Sequence, residues 1–228
     1  MLKIKALIKR IPGLRRLYAL LVGAKYKRID KKKHKMMRKN GLKAMTIINE
    51  VFDEYGCLYF FDMGTLLGAI RDHGFIGHDL DIDVAVQLTD DFSRDGFSSF
   101  LSKKGFSLKY RYVIDEDVVE ESYIVECVKF DINYYYRKEN YDACYLFFRY
   151  SDREYPKETF DVVELRCDHI LATKKIDFMG LQIPVPQDPE HYLEQRYGSN
   201  WRIPDKNYIY WKGPSATVVP LVGKCAGH

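Results

Sequence analysis

The chain is poor in several things, and each shortage excludes a class. The apolar run Leu17–Ala24 stops after eight residues and has bases on both sides, whereas a membrane-spanning helix needs about 20 apolar residues. The same flanks make a poor secretory leader. Cysteine is sparse: the five at positions 57, 127, 144, 167 and 225 are odd in number and form no CxxC pair. That spacing argues against a disulfide framework and against a zinc site, and it suits a reducing compartment. Cys57 and Cys127 fall in expected strands and read as buried thiols.

Acid is almost missing from the first 43 residues, where Asp30 stands alone against sixteen Lys or Arg. That segment carries about +15 and the remainder about −11, although the whole chain is only +4. A basic arm on an acidic domain is not the charge pattern of a general nucleic-acid binder. We therefore expect two parts: an arm over residues 1–43 and one catalytic-sized domain over residues 44–228.

In the arm, Ile4, Leu7, Ile8, Ile11 and Leu14 recur near helical spacing among lysines and arginines, with Pro12-Gly13 interrupting them. Apolar residues interleaved with bases suit a helix lying on an anionic membrane surface. The bland alternative is a helix packed on the domain with a basic outer face. Lys25 to Lys43 continues the basic run as a helix or linker.

Aromatics are plentiful, with eighteen Tyr and thirteen Phe, ample for a core and for a groove lined by tyrosines. The most informative stretch is Leu80-Asp81-Ile82-Asp83-Val84-Ala85-Val86. Its alternation predicts a strand with Leu80, Ile82, Val84 and Val86 facing a core and Asp79, Asp81 and Asp83 in a row on the other face. Carboxylates two apart on a strand repel, and a divalent cation offsets that economically. A solvated acidic edge strand is the bland reading of such a pair.

Upstream, Leu58 to Phe61 predicts a buried strand. Gly64 permits a tight turn, and Thr65 is expected to cap a short helix ending near Arg71. Strand, Gly-Thr helix start and acidic strand together suit binding of a di- or triphosphate.

Around that centre, Leu42 to Tyr55 predicts an amphipathic helix and Phe92 to Lys104 another. Phe106 to Val113 predicts a strand, followed by an acidic hairpin tip from Asp115 to Glu121 and a strand from Tyr123 to Tyr134. Tyr134–Tyr136 and Tyr145–Phe148 predict a hairpin, and Asp161 to Arg166 a further strand. Asp168 to Ala172 reads as a helix start, and Thr173 to Ile183 as two short strands about Met179-Gly180. Asp188 caps a helix with Pro189 at its first position, stopped by Gly198. Beyond Trp201 the chain reads as loop.

Gly64-Thr65-Leu66-Leu67-Gly68-Ala69-Ile70-Arg71, with Gly74-Phe75-Ile76 and Asp79-Leu80-Asp81-Ile82-Asp83, resembles the LicD/fukutin family of phosphotransferases. A second block, Ile183-Pro184-Val185-Pro186 through Tyr192–Gly198 to Trp201, resembles that family's C-terminal signature. The likeness departs at Gly77-His78, where the family often has Pro-Trp, and at Leu80, where it often has an acid.

The resemblance implies an α+β, nucleotidyltransferase-like fold, a mixed sheet flanked by helices. It implies an Mg²⁺ or Mn²⁺ ion on Asp81 and Asp83, with Asp131 on a neighbouring strand as third ligand or proton acceptor. Gly64, Thr65 and Arg71 would then steady phosphate oxygens, and Lys174 would add a point charge. The implied donor is a CDP-activated alcohol, carrying choline, ribitol or glycerol, and the acceptor a hydroxyl of a cell-surface glycan or lipid-linked glycan. The expected location is cytoplasmic, peripheral on the inner membrane face, with no nucleic-acid partner. A DxD glycosyltransferase and a non-catalytic membrane-associated scaffold are the alternatives.

Overall fold

The computed structural model describes residues 12–227. The expectation placed on Ile4, Leu7, Ile8 and Ile11 lies outside them. A single helix, α1, runs from Pro12 to Tyr55, so it crosses the boundary drawn at residue 43. Its inner face is built by Met37, Ala44, Met45, Ile48, Val51 and Phe52, all buried, at the three- and four-residue spacing that puts side chains on one stripe. Leu20, Leu21 and Tyr26, nearer its start, are exposed. Among the described residues no helix is long and apolar enough to cross a membrane.

Strand β1 (Tyr59–Phe61) follows α1 and is fully buried. Helix α2 (Met63–Leu67) comes next and passes directly into a π-helical turn, Gly68–Asp72. Gly68 is required there, because a Cβ would sit 2.5 Å from the Gly74 carbonyl oxygen. The acidic strand β2 spans Asp81–Gln87, and Ser93 caps α3 (Arg94–Lys103). Then come β3 (Ser107–Ile114), β4 (Asp117–Val125), β5 (Val128–Arg137), β6 (Asp142–Phe148) and β7 (Thr159–Cys167). A separate hairpin, β8 (Thr173–Phe178) with β9 (Leu181–Pro186), precedes α4 (Pro189–Tyr197). A 3₁₀ turn (Tyr210–Lys212) leads to β10 (Ala216–Gly227).

The large sheet has the order β1-β2-β5-β4-β3-β10-β7-β6, and β5 also pairs with β6 through Tyr136↔Ala143 and Arg137↔Asp142. That extra pairing closes six strands into a barrel, with β2 and β1 attached outside it along β5. The expected nucleotidyltransferase-like mixed sheet is therefore corrected: helices and sheet are combined as anticipated, but most of the sheet closes on itself. Closure depends on β10, which lies between β3 and β7. Residues after Trp201 are thus not mere loop. Val218 and Val222 are exposed in β10, which leaves it without the strong alternation that signals a strand.

Three further expectations are corrected. The stretch Tyr123–Tyr134 is not one strand but the end of β4, a turn and β5. Glu126 and Cys127 form that turn with φ of 49° and 63°, a left-handed pair that fits a tight hairpin and carries no glycine to announce it. Cys127 is consequently exposed, and Cys57 precedes β1 half-buried in a loop. Asp168–Ala172 forms no helix.

Candidate active site

The acidic strand works differently from the expected row of three. Asp79 lies in the turn before β2, and a Cβ on Gly64 would come 2.7 Å from its Oδ2. Burial pushes its carboxyl up to about 6, with the charge of Asp81 adding to the effect against His78. Asp81 and Asp83 are in β2 with Ile82 between them in the core. Strand β5 pairs parallel to β2 with Asp83 opposite Asp131 and Asp81 opposite Lys129. Parallel register thus brings together the three carboxylates that the sequence pointed to. Glu120, on β4 opposite Asn133 of β5, joins them. The sequence places it in an acidic hairpin tip, but that tip is only Asp115-Glu116.

One cation answers this charge. Lys129 Nζ lies 3.0 Å from Asp81 Oδ2 and 2.5 Å from Asp131 Oδ2. Burial works against its charge, but Asp131 and Asp81 more than offset that and hold the ammonium firmly protonated. Asp131 also accepts a bond from Ser122 Oγ at 2.5 Å. Burial pushes Asp83 well above the usual carboxylate range, and Asp81 and Asp131 push it further. Glu120 is pushed up to about 8 by burial and then by Asp131. Four acids share one lysine, and the raised Asp83 and Glu120 carboxyls reflect burial together with that shortage of positive charge.

Among the described residues no three acidic, His or Cys side chains converge closely enough to cage a metal, and Lys129 stands between Asp81 and Asp131. The donor chemistry nevertheless suits a hard divalent cation, which prefers carboxylate oxygens. Binding one requires the Lys129 ammonium to give way. Lys129 was missed in the sequence because it occupies an outward position in an alternating strand, where lysine is ordinary.

The Gly-Thr turn holds the acids from the other side. Asp62, not Thr65, caps α2, its Oδ1 accepting from the Met63 N–H at 2.6 Å. Thr65 is buried inside the helix, and its Oγ1 accepts the Asp83 backbone N–H at 2.9 Å. Helix α2 has only five residues and continues directly into the π-helical turn. A Thr65→Val substitution is expected to leave that N–H without an acceptor and to cost about 1–3 kcal/mol. Thermal unfolding checks this, and Thr65→Ser should recover most of the loss.

Arg71 is turned elsewhere: its Nε and Nη2 lie 2.8 Å from the two oxygens of Asp72. Lys174, on β8 opposite Val185, is exposed. Neither lines the cavity beside the acids. That cavity, about 210 Å³, is walled by Asp83, Glu120, Asp131 and Asn133, by Leu146 and Leu165, and by Met63, Arg196, Tyr197, Tyr208 and Tyr210. The last four come from α4 and the segment after it, which the sequence left without a role.

With the geometry in place, comparison with known proteins is informative. Residues 56–188 match the family described as LicD/FKTN/FKRP, nucleotidyltransferase domain. The chain belongs to this family. It is 25% identical over 197 residues to mouse ribitol-5-phosphate transferase FKTN, covering 81% of this chain and 38% of that protein. The human protein of the same name is 23% identical over 181 residues, covering 78% and 36%. An uncharacterised protein of Rickettsia prowazekii (strain Madrid E) is 26% identical over 172 residues, covering 72% and 58%. The chain thus spans little more than a third of the length of the ribitol-5-phosphate transferases it matches. Glu120, Lys129 and the three aspartates all lie within the matched domain, whereas Arg196, Tyr197, Tyr208 and Tyr210 lie beyond it.

Proposed function

We propose that this protein is a metal-dependent phosphotransferase that moves a phospho-alcohol from a CDP-activated donor to a hydroxyl of a cell-surface glycan or glycolipid, releasing CMP. The observation that carries the reading is an acidic cluster served by a single lysine, in a family of nucleotidyltransferase domains: Lys129 bridges Asp81 and Asp131, while Asp83, Glu120 and Asp131 line one cavity. The named relatives are ribitol-5-phosphate transferases, which supports ribitol phosphate among the candidate cargoes.

Asp81, Asp83 and Asp131 would hold Mg²⁺ or Mn²⁺, which neutralises a diphosphate and eases departure of the nucleotide. Thr65 fixes the Asp83 backbone, and the Gly64 turn lets Asp79 approach. Asp131 shares the cation or takes the proton from the attacking hydroxyl. The hydroxyl oxygen forms a bond to the distal phosphorus while the bridging P–O bond breaks, so the electron pair leaves with CMP. Arg71 and Lys174 would need to move to touch a donor in this cavity.

The test is to incubate the chain with Mg²⁺, a panel of CDP-alcohols and a glycan acceptor, and to weigh the products. Gain of phosphorus by the acceptor with CMP release supports the reading. Gain of a bare hexose with release of CDP, UDP or GDP makes it a DxD glycosyltransferase. Absence of any metal-dependent nucleotide binding makes it a scaffold.

For location, we propose peripheral attachment at the cytoplasmic face through the arm. Leu20, Leu21 and Tyr26 are exposed on α1 beside a basic groove lined by Lys27, Lys31, Lys35 and Arg38. Deleting residues 1–24 should release the protein from anionic vesicles at low salt while sparing transfer to a soluble acceptor. Vesicle binding that is unchanged at low and high salt would show that the arm has another purpose.

A further inference from the structure

Arg196 is the most deeply buried cation near the cavity, at 2% exposure. It enters from α4 and forms part of the cavity wall. Its Nη2 donates to the hydroxyls of Tyr135 at 2.5 Å and Tyr192 at 2.8 Å. Those hydroxyls donate in turn to Asp62 Oδ2 at 2.6 Å and Oδ1 at 2.8 Å. Two tyrosines therefore relay the guanidinium charge to a fully buried carboxylate. This leaves Nε and Nη1 of Arg196 buried with no hydrogen-bond partner.

Unpaired buried donors are costly, and native structures keep few of them without a reason. Asn133 Oδ1 is also buried and unpaired. Of the residues with such atoms among those described, only Arg196 and Asn133 line this cavity. The residues lining the cavity thus include an arginine with unpaired donors, an asparagine with an unpaired acceptor, and carboxylates. Guanidinium N–H groups are suited to phosphate oxygens, which supply the acceptors that these nitrogens lack. Arg71 was expected to fill that role, but Asp72 already satisfies it.

We infer that Arg196 is the phosphate-binding residue of this cavity, contacting an oxygen of a diphosphate whose other end would be neutralised by the divalent cation that the aspartates would hold. The identity of the anion rests on the phosphotransferase reading; the site itself rests on the unpaired donors. At about 210 Å³, below the usual range for whole drug-sized ligands, the cavity suits the phosphate portion of a donor better than an entire nucleotide.

The test measures binding of inorganic pyrophosphate, inorganic phosphate and CMP to the full chain by calorimetry, with and without Mg²⁺. The wild type should bind pyrophosphate with Mg²⁺, and more tightly than phosphate. R196Q should weaken that binding by about 10- to 100-fold. R196K, which keeps the charge against the two tyrosines, should weaken it less and covers the case in which R196Q does not fold. R202Q, at an exposed arginine paired with Glu190, should bind as the wild type does.

Lowered thermal stability in R196Q and R196K with unchanged pyrophosphate affinity would make Arg196 purely structural and overturn the inference. Failure of the wild type to bind pyrophosphate would overturn it as well, and phosphate bound as tightly as pyrophosphate would make the site a simple anion pocket, not a diphosphate site. Pyrophosphate binding through Arg196 without any CMP release from CDP-alcohols would sink the transfer reaction and leave the site standing.

Discussion

Asp83→Asn should abolish phosphoryl transfer, by roughly 10³-fold or more, and should leave the metal-free protein more stable than the wild type. The two effects share one cause. Asp83 is pressed by burial and by the charges of Asp81 and Asp131, while Lys129 answers those two neighbours directly. Neutralising Asp83 removes a repulsion without breaking an ion pair, worth about 1 kcal/mol or more. Asp81→Asn should behave differently. It also loses transfer, but it deprives Lys129 of one of its two carboxylates and gains no stability. Turnover at saturating donor and limiting Mg²⁺, together with thermal unfolding in chelator, separates the two variants. Near wild-type turnover in both would remove these aspartates from the mechanism.

The centre of the site was legible because two short periodicities coincide there. Alternation marked β2 and β5, and outward-facing acids on each became neighbours once the strands paired in parallel. The sequence showed Asp131 as a candidate, but the register opposite Asp83 is a property of the sheet. Three of the hairpins were legible: Met179-Gly180 between β8 and β9, the acidic turn after β3, and the pairing of β5 with β6. Glu126-Cys127, a non-glycine pair at positive φ, gave no warning. That loss propagated, because merging β4 with β5 hid Glu120 in a supposed tip.

The barrel was invisible for a different reason. Its closure rests on β10 pairing with β3 and β7, contacts between segments far apart in the chain that no local pattern encodes. Thr65 was found but given the wrong task. A threonine after glycine resembles a helix cap, yet Asp62 already fills that place and leaves the Thr65 hydroxyl to hold β2. Arg196 sat inside a recognised block and went unassigned, because an arginine late in an amphipathic helix is usually an exposed residue favoured by the helix dipole.

Asp62→Ala should be among the most destabilising single substitutions in the chain, at about 3–5 kcal/mol, or a fall in melting temperature of roughly 6–20 °C for a protein of this size. Asp62 is fully buried and is surrounded by donors: the Met63 N–H, Tyr135 and Tyr192. Alanine would remove the cap of α2 and leave the Tyr135 and Tyr192 hydroxyls only each other as acceptor. It would also leave Arg196 as a buried cation without its carboxylate, which is the largest of the three penalties. Asp62→Asn separates them, since the amide oxygen can still accept a hydrogen bond while the charge is gone. Its loss should fall between wild type and alanine.

The decisive comparison is the double variant Asp62→Ala with Arg196→Met. If charge imbalance dominates, removing both partners should cost less than the sum of the single losses, by about 1–3 kcal/mol of coupling. Additive losses would show that Asp62 acts through the α2 cap and the tyrosine hydroxyls, and that the tyrosine relay carries no charge interaction between the N-terminal and C-terminal sides of the site.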